Sequence, residues 1–207
     1  MAEPQLDTDR PLREEDVGPD PVAEFRRWLE LAWSAGEPQA NAMTLATVGD
    51  DGAPDARMVL LNAVDERGFT FYSNYESAKG TDLAARPRAA LVFYWPRLHR
   101  QVRVRGGVER TSRDESEAYW ARRPVGSRVA AAASAQSTVL PRREVLERAV
   151  EELERAAPCG PPLPDFWGGY RVRPAQIELW QGRRHRLHDR LLYTRAGAGW
   201  DIRRLSP

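Results

Sequence analysis

Twice along the chain the apolar residues fall into a period of two, and that alternation limits the fold more than any other feature. The first stretch spans residues 42 to 110. "AMTLATV" (42–48) ends in the turn "GDDG", "ARMVLLNAV" (56–64) ends in "DERG", and "FTFYSN" (69–74) follows. Short Gly/Asp turns between such runs mark a meander of antiparallel strands. "RAALVFYWP" and "HRQVRVRGGVER" read as two further strands. The latter sets Gln101, Arg103 and Arg105 against Val102 and Val104, one wet face and one dry. The second stretch, "YRVRP", "QIELWQ", "HDRLLYTR" and "WDIRRL", returns to the same period near the C-terminus.

Helical spacing fills the gaps. In "PDPVAEFRRWLELAWSAGEP", Asp20 is an N-cap, Pro21 suits the first helical position, Val22, Phe25, Leu29, Ala32 and Trp33 share a face, and Gly36 stops the helix. "SAKGTDLAARP" (77–87) predicts a short helix closed by Pro87. Ser112 and Glu115 form a capping box at the head of "SRDESEAYWARRP". "SRVAAAASAQS" is alanine-rich, and "PRREVLERAVEELERAA" carries a clean stripe of Leu146, Ala149, Val150 and Leu153. No repeat and no linker divides the chain. The expectation is a mainly β protein with α: one antiparallel barrel of six to eight strands over residues 19–207, helices packed outside, and a flexible arm over residues 1–18.

Composition excludes several functions. Among 207 residues, 31 are basic and 30 acidic, so the net charge of +1 does not argue for nucleic acid or an acidic membrane. No run is long and apolar enough to span a bilayer, and the polar start is unlike a signal peptide. The single cysteine, Cys159, rules out an internal disulfide and fits a reducing cytoplasm. There is no GxGxxG, no GxxxxGK[ST] and no CxxC. His99, His185 and His188 are too few and too scattered for a metal site, and none is expected. Thirty of the basic residues are arginine, which leaves Lys79 as the only lysine.

Some residues could bind an anion. Arg57 opens an apolar strand, while Ser77 and Lys79 open a helix whose free N–H groups favour negative charge. Gln101 and the pair Gln136–Ser137 could hydrogen-bond a heteroaromatic edge. Taken alone, each is more simply read as a solvated surface group. The basic stretch "WQGRRHRLHDRLLY" (180–193) is ambiguous in the same way. On a strand, Arg186, His188 and Arg190 would share one face, and His185, Leu187 and Asp189 the other.

The order of the pieces removes the ambiguity. "RMVLLN", "FYSNYESAKG", "RQVRV", "YWARRPVGS", "SAQS", "FWGGYRV", "IELWQG", "HRLHDRLLY" and "IRRLSP" resemble, in sequence and over nearly the whole chain from about residue 20, the pyridoxine/pyridoxamine 5′-phosphate oxidase family. The resemblance implies an FMN-binding split β-barrel and a homodimer with FMN at the subunit interface. It implies that Arg57 and Lys79 hold the FMN phosphate. Met58, Val59, Leu60 and Leu61, with Tyr72 and Ser73, would line the flavin, and Gln101 would contact its ring. Gln136, Ser137, Trp180 and Arg190 would complete the cofactor site. Tyr119, Arg123 and Ser127 would grip the substrate phosphate, with Asn62 beside them, and Arg186 and His188 would stand over the substrate ring as the catalytic pair. The implied reaction is hydride transfer to flavin N5, reduction of O2 to H2O2, and formation of pyridoxal 5′-phosphate. Within it Arg186 would be a fixed cation and His188 an orienting or proton-exchanging group.

The pattern breaks in four places. Asn62 stands where the family usually has a phosphate-touching lysine. Ala78 replaces an arginine before Lys79. The arm is short, with only Arg13 in "PLREED", and alanines replace a glycine–alanine–tryptophan in "AAAAS". The first two resemble the sister branch of phenazine biosynthesis, which oxidises a reduced, carboxylated tricycle; a non-catalytic flavin- or heme-binding relative of the same barrel is the third alternative.

Overall fold

The computed structural model describes residues 11–207. Its helices are α1 (Pro21–Ser34), α2 (Ala78–Ala85), α3 (Arg113–Arg122), α4 (Val125–Ala133) and α5 (Arg143–Ala156). Its strands are β1 (Ala42–Val48), β2 (Pro54–Leu60), β3 (Ala63–Asp65), β4 (Gly68–Asn74), β5 (Arg88–Trp95), β6 (Arg100–Arg110), β7 (Trp167–Gln181), β8 (Asp189–Ala196) and β9 (Gly199–Arg204). All pair antiparallel in one curled sheet, in the order β2-β1-β5-β6-β7-β4-β3, with β8 and β9 continuing from the other part of β7. The antiparallel barrel with outer helices that the alternation predicts is present as a curled half-barrel sheet, with nine strands among the described residues where six to eight are expected.

The local signals act where expected. Asp20 accepts the Val22 N–H at 2.9 Å and Pro21 begins α1. Ser112 and Glu115 close their capping box at the start of α3. Phe25 and Trp28 of α1 enter the core, and Phe25 lies 4.9 Å from Phe69 and 4.7 Å from Phe93, ring centre to ring centre. That aromatic burial contributes most of what fixes α1 on the sheet.

Three details differ from expectation. The run 56–64 breaks at Leu61–Asn62 into β2 and β3, because Leu61 turns into the core. "YRVRP" and "QIELWQ" are one strand, β7, which absorbs Pro174 at a bulge opposite Arg105 and Gly106. Gly168 and Gly169 let it pass close to α3 and β4, since a Cβ on Gly168 would lie 2.0 Å from the Tyr75 hydroxyl. Of the expected arm, residues 1–10 lie outside the described residues. From Leu12 onward the chain is anchored: Leu12 is buried and its N–H donates to Asp189 Oδ2 at 3.1 Å.

The length of β7 organises the site. Its first half pairs with β4 (Trp167↔Asn74 to Val172↔Phe69) and its second half with β8 (Gln176↔Thr194 to Gln181↔Asp189). At about 3.3 Å per residue the strand path between Trp167 and Trp180 is about 43 Å.

Candidate active site

At the Trp167 end, β2, β4, α2, α3 and α4 surround two adjoining cavities of about 410 Å³ each. One is lined by Met58, Val59, Leu60, Asn62, Tyr72, Ser73, Lys79, Tyr119, Arg123, Ser127 and Gln136. The other shares Tyr72, Ser73, Arg123, Ser127 and Gln136 and adds Ser134 and Trp167. The sequence-predicted residues from five separate elements thus converge on one cleft.

Lys79 lies in the first turn of α2. Gly80 beside it lets α2 press on Tyr75, whose carbonyl oxygen would be 2.1 Å from a Cβ there. The Lys79 side chain is buried, and its ammonium donates to Ser77 Oγ at 3.2 Å and to Gln136 Oε1 at 3.2 Å. Both partners are neutral. Burial, then the nearby Arg57, pushes the Lys79 pKa down. Ser73 Oγ donates to the same Gln136 oxygen at 3.3 Å. Asp55 and Asp82 act on the Lys79 pKa in the opposite direction from a distance, and the two groups that the ammonium hydrogen-bonds carry no charge.

Arg123 caps the C-terminus of α3 and lies 4.6 Å above the Trp167 ring and 5.4 Å from the Trp120 ring. It donates to the Ser127 carbonyl at 3.0 Å, and among the described residues no carboxylate pairs with it. Burial lowers its pKa, although a guanidinium stays charged. Tyr72 and Tyr119 stack with ring centres 3.8 Å apart, and Trp167 lies parallel to both. The exposed Asn62 donates to Tyr119 Oη at 2.7 Å. Among the described residues the cleft therefore offers flat apolar surfaces, two cations that pair directly with no carboxylate, and several neutral hydrogen-bonding groups.

Three expected cofactor residues sit elsewhere. Arg57 lies behind the wall: it donates to Thr47 Oγ1 at 2.6 Å and to Asp55, and lies 3.6 Å from Asp82. Leu61 belongs to the core, and the exposed Ser137 occupies a left-handed turn at φ 72°.

Gln101, Trp180 and Arg190 form a second group at the far end of β7. They are direct cross-strand partners in β6, β7 and β8, so they share a face. Arg190 is not free there: its Nε donates to Glu178 Oε1 at 2.8 Å, while Arg103 holds the other oxygen at 3.0 Å. The two neutralise Glu178, which is buried. Arg186 and His188 do not share a strand face with Arg190. Arg184–Arg186 form a 3-10 turn, His185 and Arg186 have φ of 57° and 62°, and β8 begins only at Asp189. A seven-residue connection packed with charge turns rather than pairs. Within it the Arg183 N–H donates to His188 Nδ1 at 3.1 Å, which leaves the proton of a neutral ring on Nε2, and the ring lies 4.6 Å from Trp180.

Sequence reasoning assigned no role to Trp167 or Glu178. Glu178 was findable: it alternates with Trp180 on a strand whose opposite face is apolar. Trp167, within "FWGG", gave no separate signal of its contacts.

The same outer face extends across the sheet. Met58, Thr44, Val92, Arg103, Glu178 and Leu192 are successive cross-strand partners from β2 to β8. Met58 and Tyr94 on this face are 63% and 56% exposed, large apolar groups on a surface that also holds the second group of site residues.

Residues 29–156 match the family model described as pyridoxamine 5′-phosphate oxidase, and residues 167–207 match the pyridoxine 5′-phosphate oxidase C-terminal dimerisation region. A curated pyridoxine/pyridoxamine 5′-phosphate oxidase of Cupriavidus taiwanensis is 57% identical over 197 residues, covering 95% of this chain and 93% of that protein. One of Burkholderia vietnamiensis is 56% identical over 199 residues, with the same coverage. The crystal structure of PhzG from Burkholderia lata 383, in complex with tetrahydrophenazine-1-carboxylic acid, superposes with a TM-score of 0.89 at 31% identity, covering 95% of this chain and 98% of that one. A pyridoxamine 5′-phosphate oxidase-related, FMN binding protein from Nostoc punctiforme shares the fold, with a TM-score of 0.71 at 20% identity, covering 89% of this chain and 96% of its own.

Proposed function

The chain belongs to the pyridoxamine 5′-phosphate oxidase family, and from that premise we propose that it is an FMN-dependent oxidase of pyridoxamine 5′-phosphate and pyridoxine 5′-phosphate. The observation that carries this reading is the pair Lys79 and Arg123: two cations that, among the described residues, form no ion pair with a carboxylate, lining one aromatic cleft. A site that binds one anion needs one such cation; a site for an anionic cofactor and an anionic substrate needs two.

Lys79 fits the FMN phosphate. Its buried ammonium has only neutral partners, and the Ser77 cap places free helix N–H groups beside it. Ser73 and Gln136 would hydrogen-bond the cofactor and the β2 segment at Met58–Leu60 would flank it, while Arg57 would reach the phosphate only by turning from its carboxylate partners Asp55 and Asp82. Bound FMN would supply the redox chemistry, as a hydride acceptor returned to its oxidised form by O2 with release of H2O2.

The chain's own residues would place the substrate. Arg123 would grip its phosphate from the platform of Trp167 and Trp120, with Ser127 and Tyr119 as neutral donors. Tyr72 and Tyr119 offer a flat wall to its ring. Gln101, Trp180, Arg190, Arg186 and His188 belong to the other end of β7, so a second copy, packed by the face that bears Met58 and Tyr94, would bring its own set to this cleft. The match of residues 167–207 to a dimerisation region supports a homodimer. His188, with its proton on Nε2, would donate there to the substrate, and Arg186 would fix the ring substituent.

Asn62 favours a second reading. With no lysine at that position, Arg123 is, among the described residues, the one cation beside Tyr119 and Ser127 where the substrate's anionic group would lie, which suits a carboxylate as well as a phosphate. A reduced aromatic carboxylate is then the alternative substrate, a class to which the tetrahydrophenazine-1-carboxylic acid bound by the Burkholderia lata protein belongs. The deciding experiment mixes the yellow holoenzyme under nitrogen with pyridoxamine 5′-phosphate, pyridoxine 5′-phosphate or a dihydrophenazine carboxylate. Bleaching of the flavin by either vitamer is the expected result. Bleaching by the carboxylate alone would replace the first reading with the second.

A further inference from the structure

The turn at 182–188 presents Arg186 and His188 in a backbone that needs holding. Two consecutive non-glycine residues, His185 and Arg186, have positive φ, and such conformations persist where surrounding contacts over-determine them. Within the turn the Leu187 N–H donates to the Arg184 carbonyl and the Arg183 N–H to His188, and at its start the Gly182 N–H donates to the His99 carbonyl at 2.7 Å. The Arg186 side chain is exposed.

The hold comes from the base of the turn. Asp189 accepts from Arg204 Nη1 at 2.8 Å and from the Leu12 N–H at 3.1 Å, and Arg183 Nε lies 3.5 Å away. Arg204, on β9, also donates to the Leu12 carbonyl at 2.8 Å and grips Glu14 through Nε and Nη2 at 3.0 and 2.8 Å. Leu12 is itself buried in the core. Three segments far apart in sequence, 12–14, 183–189 and 204, thus meet on one carboxylate and one guanidinium. Two acids and two arginines balance, so the knot is electrically closed and leaves no charge for a ligand.

We infer that Glu14, Arg204 and Asp189 are positioning residues: they pin the segment at Leu12–Asp16 across the base of the β7–β8 turn and so fix the turn that presents Arg186 and His188. Its consequence for turnover rests on the reading of Arg186 and His188 as substrate-facing groups; the pinning itself does not.

The turn supplies its own reporter, because trypsin cleaves after Arg183, Arg184 and Arg186. In the holoenzyme, Arg204→Met should raise the rate of cleavage within 183–186 about 10-fold, and Glu14→Gln about 3-fold, since proteolysis of a locally open segment follows the open population. Fragment masses identify the cut. Arg204→Lys, which keeps the charge and loses the fork, should fall between wild type and Arg204→Met. The cofactor's absorbance should persist, and kcat should fall in the same order as cleavage rises. Unchanged cleavage in both variants overturns the inference, and so does acceleration spread evenly over the chain with a matching loss of the thermal transition. Faster cleavage in the turn with unchanged kcat supports the pinning and overturns the role given to Arg186 and His188. Should Arg204→Met not fold, Glu14→Gln, which removes one half-exposed charge, carries the test alone.

Discussion

The two ends of β7 treat their cations in opposite ways. Near Trp167, Lys79 and Arg123 are partly or wholly buried and have neutral or aromatic neighbours. Near Trp180, Arg103 and Arg190 share Glu178, and Arg183 and Arg204 share Asp189. The first end holds charge in reserve for anions, at a cost to the empty protein. The second end is already neutralised and contributes orientation. One end should therefore respond to mutation chiefly in binding, and the other in geometry.

Lys79→Met strikes this contrast hardest. Loss of a charge-assisted contact to phosphate, worth about 1.5–3 kcal/mol, should weaken FMN about 100-fold, read by titrating apoprotein with flavin and following fluorescence quenching. The apoprotein should become more stable by about 1 kcal/mol, a rise in Tm of about 2–4 °C, because a buried unpaired charge is gone. The pH dependence has a definite sign. The folded Lys79 pKa lies below the ordinary lysine value of 10.5, so between the two values the unfolded chain binds a proton that the folded chain lacks. Apoprotein stability should rise with pH across that window. Burial raises the pKa of Tyr72, Tyr75 and Tyr170, which pulls the other way near pH 10, so the quantity to measure is wild type minus Lys79→Met. A difference that does not vary with pH would mean that Lys79 is solvated, and the reserve of charge would vanish from the comparison.

Arg123→Leu comes next. The substrate should lose one charged, hydrogen-bonded partner, about 2–3 kcal/mol, and KM for the phosphorylated vitamers should rise about 30- to 150-fold with FMN retained. Arg123→Lys should recover little, because lysine cannot lie flat on Trp167 while offering two parallel donors. A fall in kcat at constant KM would move Arg123 from binding to geometry and erase the difference between the two ends.

The sequence told these two ends apart unevenly. Alternation and caps foretold the sheet, α1 and the capping box of α3, because those signals are local. The cleft was legible only through the ordered resemblance: Lys79, Tyr119 and Gln136 lie on different elements, and no spacing brings them together. Three things stayed hidden. The merger of two predicted strands into β7 depends on a bulge at Ala175, next to Pro174 and between the partners Gly106 and Arg105, a tertiary event. The basic stretch 183–188 resembles a strand in pattern, yet its charges and its position between β7 and β8 make it turn. The anchoring of Leu12 and Glu14 depends on Arg204, about 190 residues away, so a polar arm read alone looks free.

Asn62→Lys would sharpen the contrast by adding charge to the end that already holds it in reserve. A lysine there would break the 2.7 Å bond to Tyr119 and place a second cation beside Arg123. For a dianionic phosphate the gain should be about 1 kcal/mol, a 3- to 10-fold lower KM, as befits a partly exposed charge. For a monoanionic carboxylate it should be near zero. Equal gains for both would mean that the site does not distinguish the two anions.

Glu178→Gln addresses the neutralised end and should have the smallest effect on binding and turnover. The amide oxygen can still accept from one arginine, so Arg103 or Arg190 keeps a partner and the other is released toward solvent. Glu178 is buried while Arg103 and Arg190 are partly exposed, so water replaces part of the lost pairing and the cost to stability should be about 1–3 kcal/mol, with little effect on binding. What should move is orientation: kcat should drop about 3-fold while FMN affinity holds within about 2-fold, as expected of a group that aims Arg190 rather than binding anything itself. Stopped-flow reduction of the flavin separates the two quantities. A loss of FMN as large as that of Lys79→Met would show that Arg190 binds charge in its own right, and the two ends of β7 would then be alike.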